Sequence, residues 1–213
     1  DEASQKKAFM GAVIEYGDQK EIIPFIGQES AMEYDLTTAI KKISVKDKPS
    51  LALIQGHGEP QPNQMIQAMQ ALSVIYNMES YDLAVEPAIP ARYQAVLLFN
   101  PVDSLPYDQY GKLNDYLSKG GKVIVAANAV NGDLSTAAGT VVNHNVFQWL
   151  ASLGVNVEPS FVIDAACAKV TVQQQRTGFF NFASQISFPY IPLMNTFPDH
   201  PATKGLEAVL FQF

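Results

Sequence analysis

The sequence has little with which to crosslink itself, hold nucleic acid or cross a membrane. One cysteine, Cys167, stands among 213 residues. It excludes an internal disulfide and a cysteine-based zinc cluster. By itself it fits either the cytoplasm or a bacterial exterior domain that folds without bridges. Lys and Arg number 14 against 21 Asp and Glu, a formal charge of −7, whereas a nucleic-acid footprint needs the opposite balance. The densest basic spot, Lys41-Lys42 with Lys46 and Lys48, suits a helix C-terminus, where cations complement the dipole. No apolar run approaches the ~18–20 residues of a membrane span, and no secretory leader is visible. Phosphate loops are missing too. There is no Walker pattern, no third glycine to complete a dinucleotide fingerprint and no G-x-S-x-G elbow. The chain opens on Asp1 and closes on the strand-like "AVLFQF". It is expected to be a piece of a longer protein, with targeting and membrane segments outside it.

What is present is core-forming. Hydrophobic residues are 47% and charged residues 16%, the profile of a globular chain. Residues 8–16 and "EIIPFI" (21–26) predict a hairpin around "GDQK", with Pro24 marking an edge or a bulge. "SAMEYDLTTAIKKI" predicts a helix opened by a Ser30–Glu33 capping box, with Met32, Leu36, Ala39/Ile40 and Ile43 on one face. The polar, proline-ended 44–49 separates an N-terminal appendage (1–46) from the main domain (47–213).

Beyond it, short apolar runs alternate with amphipathic stretches. Strands are expected at 51–55, 81–86, 94–100 and 122–128. Helices are expected at 63–77, from Asp103 or Ser104 to Gly120-Gly121, and at 144–153. Continuous apolar strands between helices predict an α/β fold: a three-layer, doubly wound, mostly parallel sheet. After residue 155, "VNVEPSFVID", "AKVTVQQQ" and "EAVLFQF" predict a β-rich C-terminal extension, and the aromatic 177–193 a hairpin.

In such sheets ligands sit beyond the carboxyl ends of the strands. The strand ends expected here carry Gln55-Gly56-His57-Gly58-Glu59, Glu86-Pro87, Asn100-Pro101 with Asp103, and Asn128 with Asn131 and Asp133. Gly56, His57, Gly58, Glu59, Asn100 and Asn128 are accordingly the candidate ligand-binding residues. Glycines let backbone approach a ligand or take positive φ, and His57 and Glu59, two apart on an extended loop, can point the same way. Two ligands are too few for a closed metal site; a third would have to come from His144, His200 or a distant carboxylate. The bland alternative is that Gly56 and Gly58 shape a turn while His57 and Glu59 hydrogen-bond loop backbone. A surface loop of this kind is expected to tolerate His57→Ala and Glu59→Ala without loss of folding. Cys167 has a strand before it and another strand-like run after it, so it reads as a small buried or semi-buried side chain rather than a nucleophile.

The ordered set "EIIPFI", "MEYDLTTAIKKI", the strand into "GHGEP", "LSKGGKVIV" and "FPDHPATKGLEAVLFQF" resembles the GldG-like, gliding-motility-associated auxiliary-component family of ABC-type transport systems. The resemblance runs from about residue 8 to the end. It implies a flavodoxin-like or class I glutamine amidotransferase-like domain, also shared with a subunit of the intraflagellar transport particle. It implies an extracytoplasmic (periplasmic) domain of a bacterial protein anchored in the inner membrane by segments outside this chain. An ABC permease and ATPase are the implied partners, and a saccharide the implied ligand. The implied role is binding without catalysis or cofactor, since the amidotransferase cysteine has no counterpart after the strand at 94–100, where Asn100-Pro101 stands. The Gly56–Glu59 motif transfers only as a signature. A hydrolase-type enzyme using His57 and Glu59 in the same cleft is the alternative, and a structural spacer a third reading.

Overall fold

The computed structural model describes residues 11–25, 29–45, 47–133, 135–136, 138–173, 183–204 and 206–211. The chain divides into two compact units, one ending at Ala127 and one beginning at Asn128.

The first unit opens on strands β1 (Ala12–Tyr16) and β2 (Gln19–Ile23), antiparallel with Val13 opposite Ile22. β2 stops before Pro24, one residue short of the proline that the sequence places inside it. Helix α1 (Glu29–Ser44) follows, with Lys41 and Lys42 in its last turn as the dipole favours. The side chain of Ser30 lies outside the described residues, so the capping box does too. Ile23, Ala39 and Ile43 are buried, and Lys42 pairs with Glu21 of β2.

The rest of this unit is a parallel sheet of strands β3 (Ser50–Gln55), β4 (Asn77–Asp82), β5 (Tyr93–Phe99) and β6 (Val123–Ala126), in the order β4-β3-β5-β6. With α1, α2 (Ile66–Ser73), α3 (Tyr107–Ser118) and α4 (Asn145–Ser152), the described residues hold four helices. The mixed α/β class with a central parallel sheet is as the sequence predicts. Leu51, Leu53, Ala95 and Leu97 form one core cluster, against which Met65, Met69, Leu72, Tyr76, Met78 and Phe99 pack. The alternate residues Ala52, Ile54, Val96 and Leu98 are fully buried as well. A sheet buried on both faces explains why β3 and β5 read as continuous apolar runs.

Three boundaries differ from the sequence reading. The strand expected at 81–86 lies at 77–82. "LAV" is a turn in which Leu83 is buried and Val85 is 74% exposed, so the apolar run marks a plug, not a strand. β4 itself is an edge strand, which needs only one apolar neighbour and therefore tolerates "NMESYD". The helix expected at 63–77 is a single 3-10 turn (Pro62–Gln64) and the eight residues of α2. The third helix starts at Tyr107 with Pro106 as its N-cap residue, because 102–103 are held by the loop after β3, as described below.

At the amino end of the sheet, Arg92 donates to Glu79 and to the Tyr93 hydroxyl, which itself donates to Glu79. Burial, with the Glu79 hydrogen bond added, pushes the Tyr93 phenol up to about 12. The Tyr93 hydrogen bond in turn lowers Glu79.

In the second unit, β7 (Val130–Asp133) and β8 (Ala138–Val141) form an antiparallel hairpin. The sequence reading missed it because "VNGD" has the composition of a turn. Hydrogen bonds from Ser135 and Thr136 lower the Asp133 carboxyl to about 2. Helix α4 is capped by His144, whose Nδ1 accepts from the Val146 amide, and it buries Val146 and Trp149. β9 (Cys167–Gln173), β10 (Ala183–Met194) and β11 (Val209–Leu210) form an antiparallel sheet in the order β11-β10-β9. The β-rich end is as expected, but 155–164 is not a strand. Val155, Val162 and Ile163 are exposed there, and among the described residues no strand pairs with them. The expected hairpin at 177–193 begins outside the described residues; from Ala183 on it is the single strand β10.

Candidate functional site

The order β4-β3-β5-β6 reverses direction between β3 and β5, and the crevice beyond the carboxyl ends of two such strands is where ligands of open α/β sheets bind. Two loops meet there. The backbone carbonyl of His57, in the loop after β3, accepts from the amides of both Val102 and Asp103, in the loop after β5, each at 2.9 Å.

The geometry of the first loop follows from its residue types. Gly56 has φ +117° and Gly58 φ +78°, values that L side chains rarely adopt. A Cβ on Gly58 would stand 2.9 Å from the Val102 Cβ, so only glycine lets the two loops approach. Alternation then turns the intervening side chains the other way. The glycines are exposed, whereas His57 and Glu59 are 5% and 3% exposed. Glu59 Oε2 accepts from the His57 amide at 2.7 Å, and Glu59 Oε1 lies 3.1 Å from His57 Nδ1. Gln55 ties the loop down further, donating to the Pro60 carbonyl and accepting from Gln61. This corrects the expectation of a tolerant surface loop. The polar pair is inside, as buried polar groups must be when their bonds are made internally.

The two side chains do point the same way, and they meet each other. A carboxylate only accepts, so Nδ1 is the donor of this contact, and Nε2 makes no hydrogen bond among the described residues. Asn100 opens the neighbouring loop in a left-handed conformation (φ 41°), its amide donating to the Ala126 carbonyl. Asn128 belongs to the second unit. Among the described residues no group of three or more His, Cys, Asp or Glu could hold a metal ion.

Two carboxylates border this edge, and a buried glutamine lies in the helix that follows the second loop. Asp82 ends β4, and its Oδ1 would stand 3.2 Å from a Cβ on Gly56. Placing β4 four residues too late hid it inside an expected strand. Asp103, read only as a follower of Asn100 or a helix cap, has its Oδ2 3.7 Å from a Cβ on Gly58. Gln109, in the first turn of α3, is 3% exposed, and its Oε1 is the buried side-chain atom without a hydrogen-bond partner among the described residues. No sequence signal distinguishes it from the other polar residues of α3. An orphaned buried acceptor costs its desolvation. Gln109→Leu is therefore expected to raise stability by about 1 kcal/mol, read as a higher denaturant midpoint at unchanged slope; a loss of that size would show the amide to be partnered.

The family model described as "ABC-type uncharacterized transport system" matches residues 48–213. The chain belongs to this family of ABC-type transport auxiliary proteins. No curated protein and no solved structure matches it. Membership covers the parallel sheet, the paired loops at its carboxyl edge and the second unit alike. It makes the chain an auxiliary component associated with an ABC-type transport system.

Proposed function

We propose that the chain is a non-catalytic docking domain: the extracytoplasmic part of a GldG-like auxiliary component, anchored in the bacterial inner membrane by segments outside these residues. It binds a partner or ligand at the carboxyl edge of the parallel sheet, and the permease and ATPase of the transport system are its partners. Residues 1–46 are an appendage to the α/β domain of 47–213. The start of the family match at residue 48 supports that division. The strand order β4-β3-β5-β6 supports a flavodoxin-like or amidotransferase-like relationship, because it has the reversal next to the first strand that those sheets share.

The observation that carries the binding reading is the loop pair at that reversal. Gly58 lets the loop after β3 meet the loop after β5, and the backbone of Gly56 and Gly58 stays exposed there. Catalysis has less support, since His57 and Glu59 are turned inward and Asn100-Pro101 stands where an amidotransferase nucleophile would. The hydrolase alternative keeps one specific observation, the Glu59-oriented imidazole whose Nε2 has no described partner.

The test uses the full-length protein reconstituted with permease and ATPase. Ser104→Trp sets an indole on the exposed edge and is expected to weaken assembly at least about tenfold, the effect of losing one good contact. Lys122→Trp, at the opposite end of the sheet, leaves assembly unchanged. Equal assembly by Ser104→Trp contradicts the reading. A panel of glycans and of generic ester, amide and phosphate substrates runs in parallel. Glycan binding blocked by Ser104→Trp assigns the ligand as saccharide. Turnover abolished by Glu59→Gln establishes the enzyme instead.

A further inference from the structure

Strand β4 is an edge of the parallel sheet, paired with β3 on one side. The Asn77 amide donates to the Pro49 carbonyl, just ahead of β3. Backbone groups alternate along a strand, so those of residues 77, 79 and 81 face β3 and those of Met78 and Ser80 face outward. Among the described residues no backbone hydrogen bond outside the β3 ladder reaches Met78 or Ser80, whereas farther on the Asp82 carbonyl accepts from the Glu86 amide. Natural edges are guarded by charge, proline, a bulge or a covering element. Between Asn77 and Asp82 there is no proline and no bulge. The carboxylate in the middle, Glu79, is taken up by Arg92 and Tyr93.

A groove runs along the same edge. Leu53 of β3, Met78 and Ser80 of β4, and Met69 and Ser73 of α2 line a mostly apolar space of about 250 Å³. Met78 and Ser80 lie opposite Leu51 and Leu53 in the parallel register, so their side chains share the face that Met69 and Leu72 of α2 cover. The two residues with outward backbone are therefore also a wall of the groove. Its volume falls short of the ~300–1,000 Å³ of a pocket for a drug-sized ligand and suits a side chain. Charge is the third observation. The Lys48 ammonium donates to the Ser73 carbonyl at 2.6 Å, and the Lys48 carbonyl accepts from the Asn77 side chain, so this lysine stands at the amino end of β4. Among the described residues it has no carboxylate partner.

We propose that the β4 edge takes the extended C-terminal segment of a partner polypeptide as a fifth strand, antiparallel to β4, with an aliphatic side chain in the groove beside Ser80 and the terminal carboxylate at Lys48. Each observation fixes one part of that chemistry. Unpaired backbone on two alternate residues calls for a strand, the groove for an apolar side chain, and the unpaired ammonium for a carboxylate. The antiparallel direction is the one that brings a C-terminus to the amino end of β4. Main-chain bonds supply affinity in this mode, and the side-chain pocket supplies selectivity. The site is separate from the carboxyl-edge loops and does not rest on the docking reading made there.

The experiment titrates the full chain with an acetylated pentapeptide of threonine, leucine, threonine, valine and threonine that has a free C-terminus. Its leucine and valine lie opposite Ser80 and Met78 in the proposed register. The peptide binds saturably. Amidating its C-terminus weakens it about tenfold, the worth of one charge-assisted bond. Lys48→Met brings the free-acid peptide down to the level of the amidated one and leaves the amidated one unchanged. N-methylation of the leucine and valine removes the amides that donate to the Ser80 and Met78 carbonyls and weakens binding about tenfold or more; being a change on the peptide, it cannot unfold the protein. Ser104→Trp leaves peptide binding as it is. Absent binding to the parent chain, equal binding of the amidated or N-methylated peptide, or blockage by Ser104→Trp overturns the proposal. Decanoate binding as tightly as the peptide, or a dimer of the chain alone that Ser80→Pro dissolves, overturns it in favour of an amphiphile or a second copy. If Ser104→Trp leaves assembly intact while the peptide behaves as stated, the docking reading falls and this inference stands.

Discussion

Glu59→Ala is expected to destabilise the first unit by about 3 kcal/mol or more, the scale of breaking one partner out of a buried polar pair. The Glu59 side chain has no exposed surface. Removing its carboxylate strands the His57 amide and Nδ1 together, and each buried donor left unpaired costs about 1–3 kcal/mol. Glu59→Gln keeps the shape and one acceptor, so it costs less. Equilibrium denaturation of both variants reads the difference. A loss under about 0.5 kcal/mol for Glu59→Ala, the range of ordinary surface changes, would show that the loop is not held by this pair.

Gly58→Ala comes next in size, at about 2–3 kcal/mol. A non-glycine residue at φ +78° carries a left-handed strain of about 1 kcal/mol or more. The new methyl also meets the Val102 Cβ at 2.9 Å, and overpacking of that kind costs about 1–3 kcal/mol. Relief by backbone movement would pull the two loops apart and loosen the bonds from Val102 and Asp103 to the His57 carbonyl. Gly56→Ala differs in kind. Its nearest contact is the end of the Asp82 side chain at 3.2 Å, which can swing aside, leaving mainly the backbone strain. Thermal or denaturant melts should therefore rank Gly58→Ala as the more damaging. The reverse order would mean that the loop contact with Val102 is not what demands glycine.

The legible parts of the fold were those where one physical signal dominated. β3 and β5 stood out because strands buried on both faces are apolar without interruption. α1 and α4 stood out because Leu36, Ile40 and Ile43, or Val146, Trp149 and Leu153, repeat at helical spacing. β4 was displaced because an edge strand has no such run, and the apolar Leu83 and Val85 just beyond it imitated one. The β7–β8 hairpin was illegible because its strand residues Asn131, Gly132 and Asp133 are turn formers held by pairing.

At the site, the glycines and the adjacency of His57 and Glu59 could be read from their spacing. Their direction could not. Whether a two-apart pair faces solvent or core depends on the approach of the 100–106 loop, a contact between residues more than forty positions apart. The acidic border was hidden for a simpler reason: Asp82 takes on meaning only once β4 is known to end there. Family membership was legible in the ordered motifs; the family match bears it out for those from residue 48 on, at the level of ABC-type transport auxiliary proteins, and does not reach "EIIPFI" and "MEYDLTTAIKKI".

Amide hydrogen exchange of the full-length protein, alone and assembled with the permease and ATPase, tests the docking reading most directly. Assembly should slow exchange at 56–58, 82–86 and 100–104, the backbone of the three carboxyl-edge loops, while 91–92 and 119–122 at the other end keep their rates. Protection confined to the amino end of the sheet, with the carboxyl-edge amides exchanging as in the free protein, would contradict it.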